Sequence, residues 1–416
     1  MSRRALPRRE FLLRACAGCA ALLAGGALFG TPRELGQLLP GPAEAAGDPL
    51  AGLLRAAPRA RYWVSTASAN GADCAACHPA GSLAAGTKPA HRRALIRCTL
   101  CARDCTLADG ERGMCRARIH VNGELRSLVY GRPMAIHVDP IEKKPFFHFL
   151  PGAAAYSLAT SGCPLRCKFC QNWGISQARP EDYAQAPLPP ASLVRAAVER
   201  KAPVIAFTYN EPTVFTEYLT DVARAGRPLG RRSVLVTCGY MNESPLAEMC
   251  EVLDAIKVDL KGFSEGFYRD VCGAELKPVL RSIRQVARSR AHLEIVNLVV
   301  PTLNDSPRML TELAKWVVGE VGPDVPVHFT RFHPDYQLPN LPGTPVATLE
   351  RAREIGLEQG LHFAYVGNVP GHPGNNTYCP KCGRVVIERD GLFVTGMHLK
   401  SGHCETCARA IPGVWS

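Results

Sequence analysis

Three cysteines, Cys163, Cys167 and Cys170, stand in a C-x3-C-x2-C spacing within SGCPLRCKFCQNW (Ser161–Trp173). Three thiolates so placed can hold three irons of a [4Fe–4S] cluster and leave the fourth iron without a nearby protein ligand. An iron in that state can take a small molecule, as a catalytic zinc keeps one position open. Zinc sites usually draw on paired C-x2-C knuckles, which disfavours zinc here; three structural thiols are the other alternative. Charged and polar residues follow along the chain, among them Glu211, a natural acceptor for an ammonium group, and Asp259, Lys261 and His333. Taken singly, Glu211, Lys261 and His333 could each be a surface or ion-paired residue.

Most of the 18 cysteines fall into similar groups. Cys379, Cys382, Cys404 and Cys407 make two C-x2-C pairs, with 21 residues between Cys382 and Cys404. Two such knuckles joined by a hairpin read as a four-cysteine ribbon for structural zinc, with rubredoxin-like iron as the alternative. Cys98, Cys101, Cys105 and Cys115 form a quartet that could hold zinc or a second Fe–S cluster; disulfides are a third reading if the region matures outside the cytoplasm. CAACH (Cys74–His78) is a C-x2-C-H motif, the signature of c-type haem attachment through Cys74 and Cys77 with His78, although a metal-ligand pair or chance gives the same residues. Cys238, Cys250 and Cys272 read as buried small hydrophobes.

Ligands this scattered need a scaffold that gathers strand ends. From residue 155 onward, apolar runs at 156–160, 204–208, 233–237, 255–260, 293–300, 325–330 and 362–366 read as strands. Helical patterns separate them at 190–201, 213–225, 244–253, 277–289, 306–321 and 348–359. Strands alternating with helices of that length specify βαβ units and a parallel sheet. About six units suit an α/β fold of the partial (β/α)6 TIM-like kind, whose sites lie at the C-terminal ends of the strands. Glu211, Lys261 and His333 each fall just after a predicted strand and so on one face. The expected organisation is a leader at 1–45, a linker at 46–95, a cysteine-rich N-terminal module at 96–150, the barrel at 151–370 and the ribbon at 371–416.

The leader pairs Arg8 and Arg9 with Glu10-Phe11-Leu12-Leu13, an apolar run and the small-residue site Ala43-Glu44-Ala45. That resembles a twin-arginine export signal and points to the periplasm, with the cytoplasm as the alternative. The 46% hydrophobic and 21% charged residues exclude a disordered or collagen-like chain. A mean hydropathy of -0.04 speaks against a polytopic membrane protein. The net charge of +12 sits partly in the leader, no basic stripe is interleaved with aromatics, and no nucleic-acid partner is expected.

With Phe169 before its last cysteine and Asn172 two after it, the triplet resembles that of radical S-adenosylmethionine (SAM) enzymes. The chain is similar to their activating-enzyme-like branch, and within it to the radical SAM member of the AmmeMemoRadiSam set. The likeness runs in order through VDPIEKKPFFHFLPG (Val138–Gly152), CKFCQNWGISQ (Cys167–Gln177), FTYNEPT (Phe207–Thr213), VDLKGF (Val258–Phe263), HFTRFHPDY (His328–Tyr336), YVGNV (Tyr365–Val369) and NTYCPKCG (Asn376–Gly383). The resemblance implies that Cys163, Cys167 and Cys170 bind a [4Fe–4S] cluster and that SAM chelates its open iron. It implies that Tyr209, Asn210 and Glu211 meet the SAM amino group, that Lys261 beside Asp259 meets its carboxylate, that His333 lies near its ribose, and that Asn172 contacts SAM beside the cluster. It departs from the activases at Val236, where they carry an acidic residue of a cation site, and at Cys238, where a Thr-Asn-Gly motif has Asn. For Asp139 to Pro145 it implies no chemical role.

The implied reaction is reductive cleavage of SAM to a 5′-deoxyadenosyl radical that takes hydrogen from a protein or small-molecule substrate. It implies an electron-donor protein, and the name of the set implies Memo-like and Ammecr-like companions. The rival function is an Fe–S electron carrier, with or without haem, that performs no SAM chemistry. A carrier would need neither an open iron nor Glu211, Asp259 and Lys261 around it.

Overall fold

A computed structural model describes residues 48–65, 95–183 and 186–416. The arginine pair of the leader, the export site and the Cys74–His78 motif lie outside the described residues. Helix α1 (Pro49–Ala56) precedes a three-stranded antiparallel sheet of β1 (Trp63–Ser65), β2 (Leu95–Cys98) and β3 (Thr106–Ala108), and a hairpin of β4 (Arg118–Val121) and β5 (Glu124–Ser127) follows.

The central sheet has eight strands in the order β13-β12-β11-β10-β9-β8-β7-β6. Its first member by sequence, β6 (Ala135–Pro140), pairs antiparallel with β7 (Ala154–Ala159). From there each parallel strand follows a helix: α2 (Pro190–Glu199) to β8 (Val204–Phe207), α3 (Thr216–Gly226) to β9 (Arg232–Thr237), and α4 (Glu243–Val252) to β10 (Ala255–Asp259). The series continues with α5 (Leu276–Ala287) to β11 (His292–Val299), α6 (Pro307–Glu320) to β12 (Val327–Arg331), and α7 (Val346–Glu358) to β13 (Ala364–Gly367). Strands such as β8 and β13 are buried along their whole length, which is why they read as unbroken apolar runs. Helix starts follow local chemistry: the Ser306 hydroxyl accepts the Met309 N–H at 3.3 Å, and Pro307 occupies the first turn of α6.

The seven parallel strands match the seven apolar runs and the six helices between them, but β6 was not anticipated as a strand at all. It is a half-exposed edge strand containing Asp139 and ending in Pro140, so it has no apolar run to reveal it. Residues 135–150 thus belong to the central sheet and its packing, not to the cysteine-rich segment.

Consecutive strands that keep one direction and one order place their connecting helices on one face. Alternate residues such as Leu235, Ile256, Val258, Ile295, Val327 and Phe329 pack into the large core on that side. At the N-terminal ends of the strands the opposite face is plugged. Ile141, Phe146 and Phe149 pack on Ala155, Val204, Ala206, Val234 and Ala255. Toward the C-terminal ends that face stays open, and the cavity described below occupies it.

The C-terminal segment adds an antiparallel sheet of β14 (Thr377–Tyr378), β15 (Val385–Asp390) and β16 (Phe393–Met397), then the pair β17 (Leu399–Lys400) and β18 (His403–Cys404). It docks through Phe147, Phe363 and Tyr365 against Cys379, Val386, Ile387, Cys404 and Ile411. Buried Arg389 donates to the Phe147 carbonyl at 2.8 Å and lies over that ring at 4.1 Å. Among the described residues no helix is long and apolar enough to cross a membrane.

Candidate active site

A cavity of about 710 Å³ opens at the C-terminal ends of the parallel strands. Its lining includes Cys163, Cys167, Cys170, Asn172, Tyr209, Asn210, Glu211, Asp259, Lys261 and His333. Every residue that the sequence places around the triplet therefore reaches one space, although 170 positions separate the first from the last. The strand ends do this work. The loop after β7 brings the cysteines, the loop after β8 brings Tyr209 to Glu211, β10 ends in Asp259, and the chain beyond β12 brings His333.

The cysteine loop is held by backbone pairing. Arg166 and Lys168 donate their N–H groups to the carbonyls of Cys272 and Val271, at 2.9 and 3.0 Å. Asn210 donates to the Gly162 carbonyl and Asn172 to the Tyr209 carbonyl, both at 2.8 Å, so each of the two loops clamps the other. Gly162 has φ +95°, and a Cβ there would lie 2.3 Å from the Cys115 carbonyl oxygen; no other residue fits. Burial pushes the Cys163 and Cys170 thiols up. Cys167 shifts down, because it accepts a hydrogen bond from Cys272. Three buried or half-buried thiols lining one cavity suit a cationic iron cluster, which supplies the positive charge that makes the thiolate form favourable. The donor set fits that group.

Glu211 is buried and caps the turn that leads into α3. Its Oε1 accepts from Thr213 N at 3.1 Å, Thr213 Oγ1 at 2.5 Å and Thr237 Oγ1 at 2.6 Å. Oε2 accepts the Cys238 N–H, at 2.7 Å, and as a carboxylate oxygen on the cavity lining it has acceptor capacity for a ligand. The capping role is structural and the remaining lone pair is available for chemistry; one side chain does both.

Asp259 sits between two lysines. Lys261 Nζ lies 3.2 Å from Oδ2, and Lys257 Nζ binds the other oxygen. Burial works against the Lys261 ammonium, but Asp259 and the thiols of Cys167, Cys238 and Cys272 outweigh it and hold its pKa well above the ordinary value. Burial lowers Lys257, with Asp259 opposing. Lys257 lines the cavity and escaped the sequence analysis. Its signal was a lysine in the middle of the buried strand AIKVD of β10, two residues before Asp259.

The segment without an assigned role also finds a place. Asp139 accepts Lys143 Nζ at 2.8 Å, buried Lys144 Nζ at 2.6 Å, and the Tyr209 hydroxyl. The Lys144 ammonium lies 5.0 Å from the centre of the Tyr209 ring, and burial lowers its pKa to about 8. Tyr209 has φ +68°, a conformation that bulky residues rarely adopt, and this clamp is what holds it there. Cys238 and Cys272 are buried, as expected, but one lines the cavity and the other touches Cys167.

At the C terminus, Cys379, Cys382, Cys404 and Cys407 have all their sulfurs within 4.8 Å of one another, a four-cysteine group able to hold a metal ion. Every described cysteine, including the quartet at 98–115, is a free thiol, so the disulfide reading of that quartet is not met.

Residues 157–316 match the model of the Radical SAM superfamily, so the chain carries a radical SAM domain. It is 41% identical over 318 residues to MJ0808, an uncharacterized protein of Methanocaldococcus jannaschii, covering 76% of this chain and 95% of the relative. The chain belongs to the same family as that archaeal protein. Among solved structures it is similar to a domain of a pyruvate-formate lyase-activating enzyme from Bacteroides vulgatus, with 16% identity, a TM-score of 0.36, and 39% of this chain and 98% of that one covered. A radical SAM methyltransferase from Sphaerobacter thermophilus gives 17% identity and a TM-score of 0.40, over 57% of this chain and 71% of that one.

Proposed function

We propose that this protein reductively cleaves SAM at the cavity and uses the 5′-deoxyadenosyl radical to take hydrogen from a protein or small-molecule substrate. The observation that carries the reading is the convergence of three cysteines and seven polar residues on one cavity within a radical SAM domain. Cys163, Cys167 and Cys170 would hold the [4Fe–4S] cluster, which supplies one low-potential electron to the sulfonium when bound. The free lone pair of Glu211 Oε2 would accept from the SAM ammonium. Lys261, kept charged by Asp259, would take its carboxylate. Asn172, Tyr209 and Asn210 fix the edge of the pocket, and His333 at the exposed rim would meet the ribose. The buried strand ends would shield the floor of the space in which the radical must survive.

The reading extends to the activating-enzyme-like branch and its AmmeMemoRadiSam member, supported by the seven ordered motifs. An electron-donor protein, Memo-like and Ammecr-like companions and a substrate outside the chain go with that assignment. Structural zinc at the C-terminal cysteines, a haem at Cys74–His78 and twin-arginine export belong to the same proposal. For export, tagged wild type should fractionate with the periplasm and Arg8→Lys/Arg9→Lys should not.

The test of the chemistry is anaerobic reconstitution, dithionite reduction and assay of 5′-deoxyadenosine from SAM. Wild type should form it, and Glu211→Gln should form it with a raised KM for SAM. A wild-type yield no higher than that of dithionite and SAM without protein would reject the reading.

A further inference from the structure

We propose that Cys98, Cys101, Cys105 and Cys115 hold a second [4Fe–4S] cluster, fully ligated by cysteine and seated directly behind the loop that carries the triplet. The four residues line one enclosed pocket, shared with Pro164 of the triplet loop and with Thr213 and Val214 of the turn that Glu211 caps. A Cβ at Gly113 would lie 3.6 Å from the Cys115 sulfur and 3.8 Å from that of Cys105, so the loop wraps both.

The spread of the sulfurs favours a cluster over a single ion. One zinc draws four thiolates to its own bond length of about 2.3 Å, which forces the sulfurs close together. Among the described residues only the C-terminal cysteines meet that condition. The quartet does not, although its members face one pocket, and in this it matches the triplet. A four-iron cube binds each thiolate at a different iron and therefore needs them farther apart. The spacing agrees: C-x2-C-x3-C-x9-C is not a pair of knuckles.

The seat is also part of the active-site wall. The Cys115 carbonyl rests against Gly162, next to Cys163. Arg103 donates to the Pro164 carbonyl at 2.9 Å, and Arg166 bridges from the Cys163 carbonyl at 2.8 Å to that of Met114, at 2.5 Å. With a cysteine on every iron, the second cluster has no position for SAM. Dithionite would reduce it by one electron, from the 2+ to the 1+ state, with no ligand exchanged.

The test uses the full chain with the triplet removed, Cys163→Ala/Cys167→Ala/Cys170→Ala, reconstituted anaerobically with iron and sulfide. The expected result is four irons and four labile sulfides per chain. The reduced protein should give a cluster EPR signal that SAM leaves unchanged. Adding Cys101→Ser/Cys105→Ser should remove that iron. Iron-free protein carrying a second equivalent of zinc would overturn the proposal, as would a signal that shifts with SAM. Should the triplet variant not fold, Mössbauer spectra of wild type decide: two clusters support the assignment and one overturns it. Failure here would leave 5′-deoxyadenosine formation by wild type intact, so the two readings fail separately.

Discussion

At the C-terminal ribbon the thiols face one another: Cys379 and Cys407 are 3.5 Å apart, and Cys382 and Cys404 are 3.7 Å apart. In the sheet, Cys163, Cys167 and Cys170 face a cavity of about 710 Å³ and share it with ion-paired and amide side chains. The first set is closed around one point and leaves a bound ion nothing to do but hold two knuckles together. The second leaves room beside its ligands and surrounds that room with Glu211, Asp259 and Lys261. On the proposed function the same ligand type serves stability in one place and chemistry in the other, and the difference lies in what the remaining space is lined with.

The comparison can be broken by metal removal. Stripping the C-terminal site with a chelator, or with Cys379→Ser/Cys407→Ser, should lower the Tm by on the order of 10 °C, because binding energy at a closed site is folding energy. Surviving folded protein should still form 5′-deoxyadenosine. Loss of that product in folded, ion-free protein would place the ribbon within the chemistry.

Gly162→Ala should cost roughly 2–3 kcal/mol in urea unfolding, since a Cβ meets the Cys115 carbonyl at a positive φ. It should also lower cluster content at the triplet while leaving the metal content of the ribbon unchanged. Lys144→Met comes next. It removes one of two ammonium partners from Asp139 and frees Tyr209, for a loss of about 1–2 kcal/mol, or roughly tenfold in SAM affinity by calorimetry.

At neutral pH the smallest effect sits at the seam between the two regions, and it grows only in acid. Buried His148 bonds the Tyr365 hydroxyl through Nε2 and the Pro412 carbonyl through Nδ1, each at 2.6 Å. Burial pushes its pKa from 6.5 down to about 3, with Glu294 and the Pro412 carbonyl opposing. The folded protein therefore keeps it neutral while the unfolded chain takes up a proton. Its contribution is complete above pH 6.5 and is lost as pH falls toward 3, at up to about 1.4 kcal/mol per unit. Unfolding free energies of His148→Gln should fall less steeply than those of wild type over that window.

Much of this architecture was legible in the sequence because its signals are local. The seven parallel strands are buried runs between helices, and the triplet's spacing names its chemistry. Glu211, Lys261 and His333 could be grouped because each follows a strand. What stayed hidden depends on contacts across the fold. Strand β6 is a polar edge that only its partner defines. Asp139, Lys143 and Lys144 have no role in the sequence until Tyr209 arrives from 70 residues away. Lys257 hid inside an apolar strand, and the nearness of Cys272 to Cys167 has no trace in spacing.

The most direct measurement compares 5′-deoxyadenosine yields of wild type, Cys167→Ala and Cys382→Ala after identical reconstitution and dithionite reduction. The predicted result is product from wild type and from folded Cys382→Ala, with Cys167→Ala at the protein-free background. Equal yields from wild type and Cys167→Ala would contradict the assignment of the chemistry to the cavity.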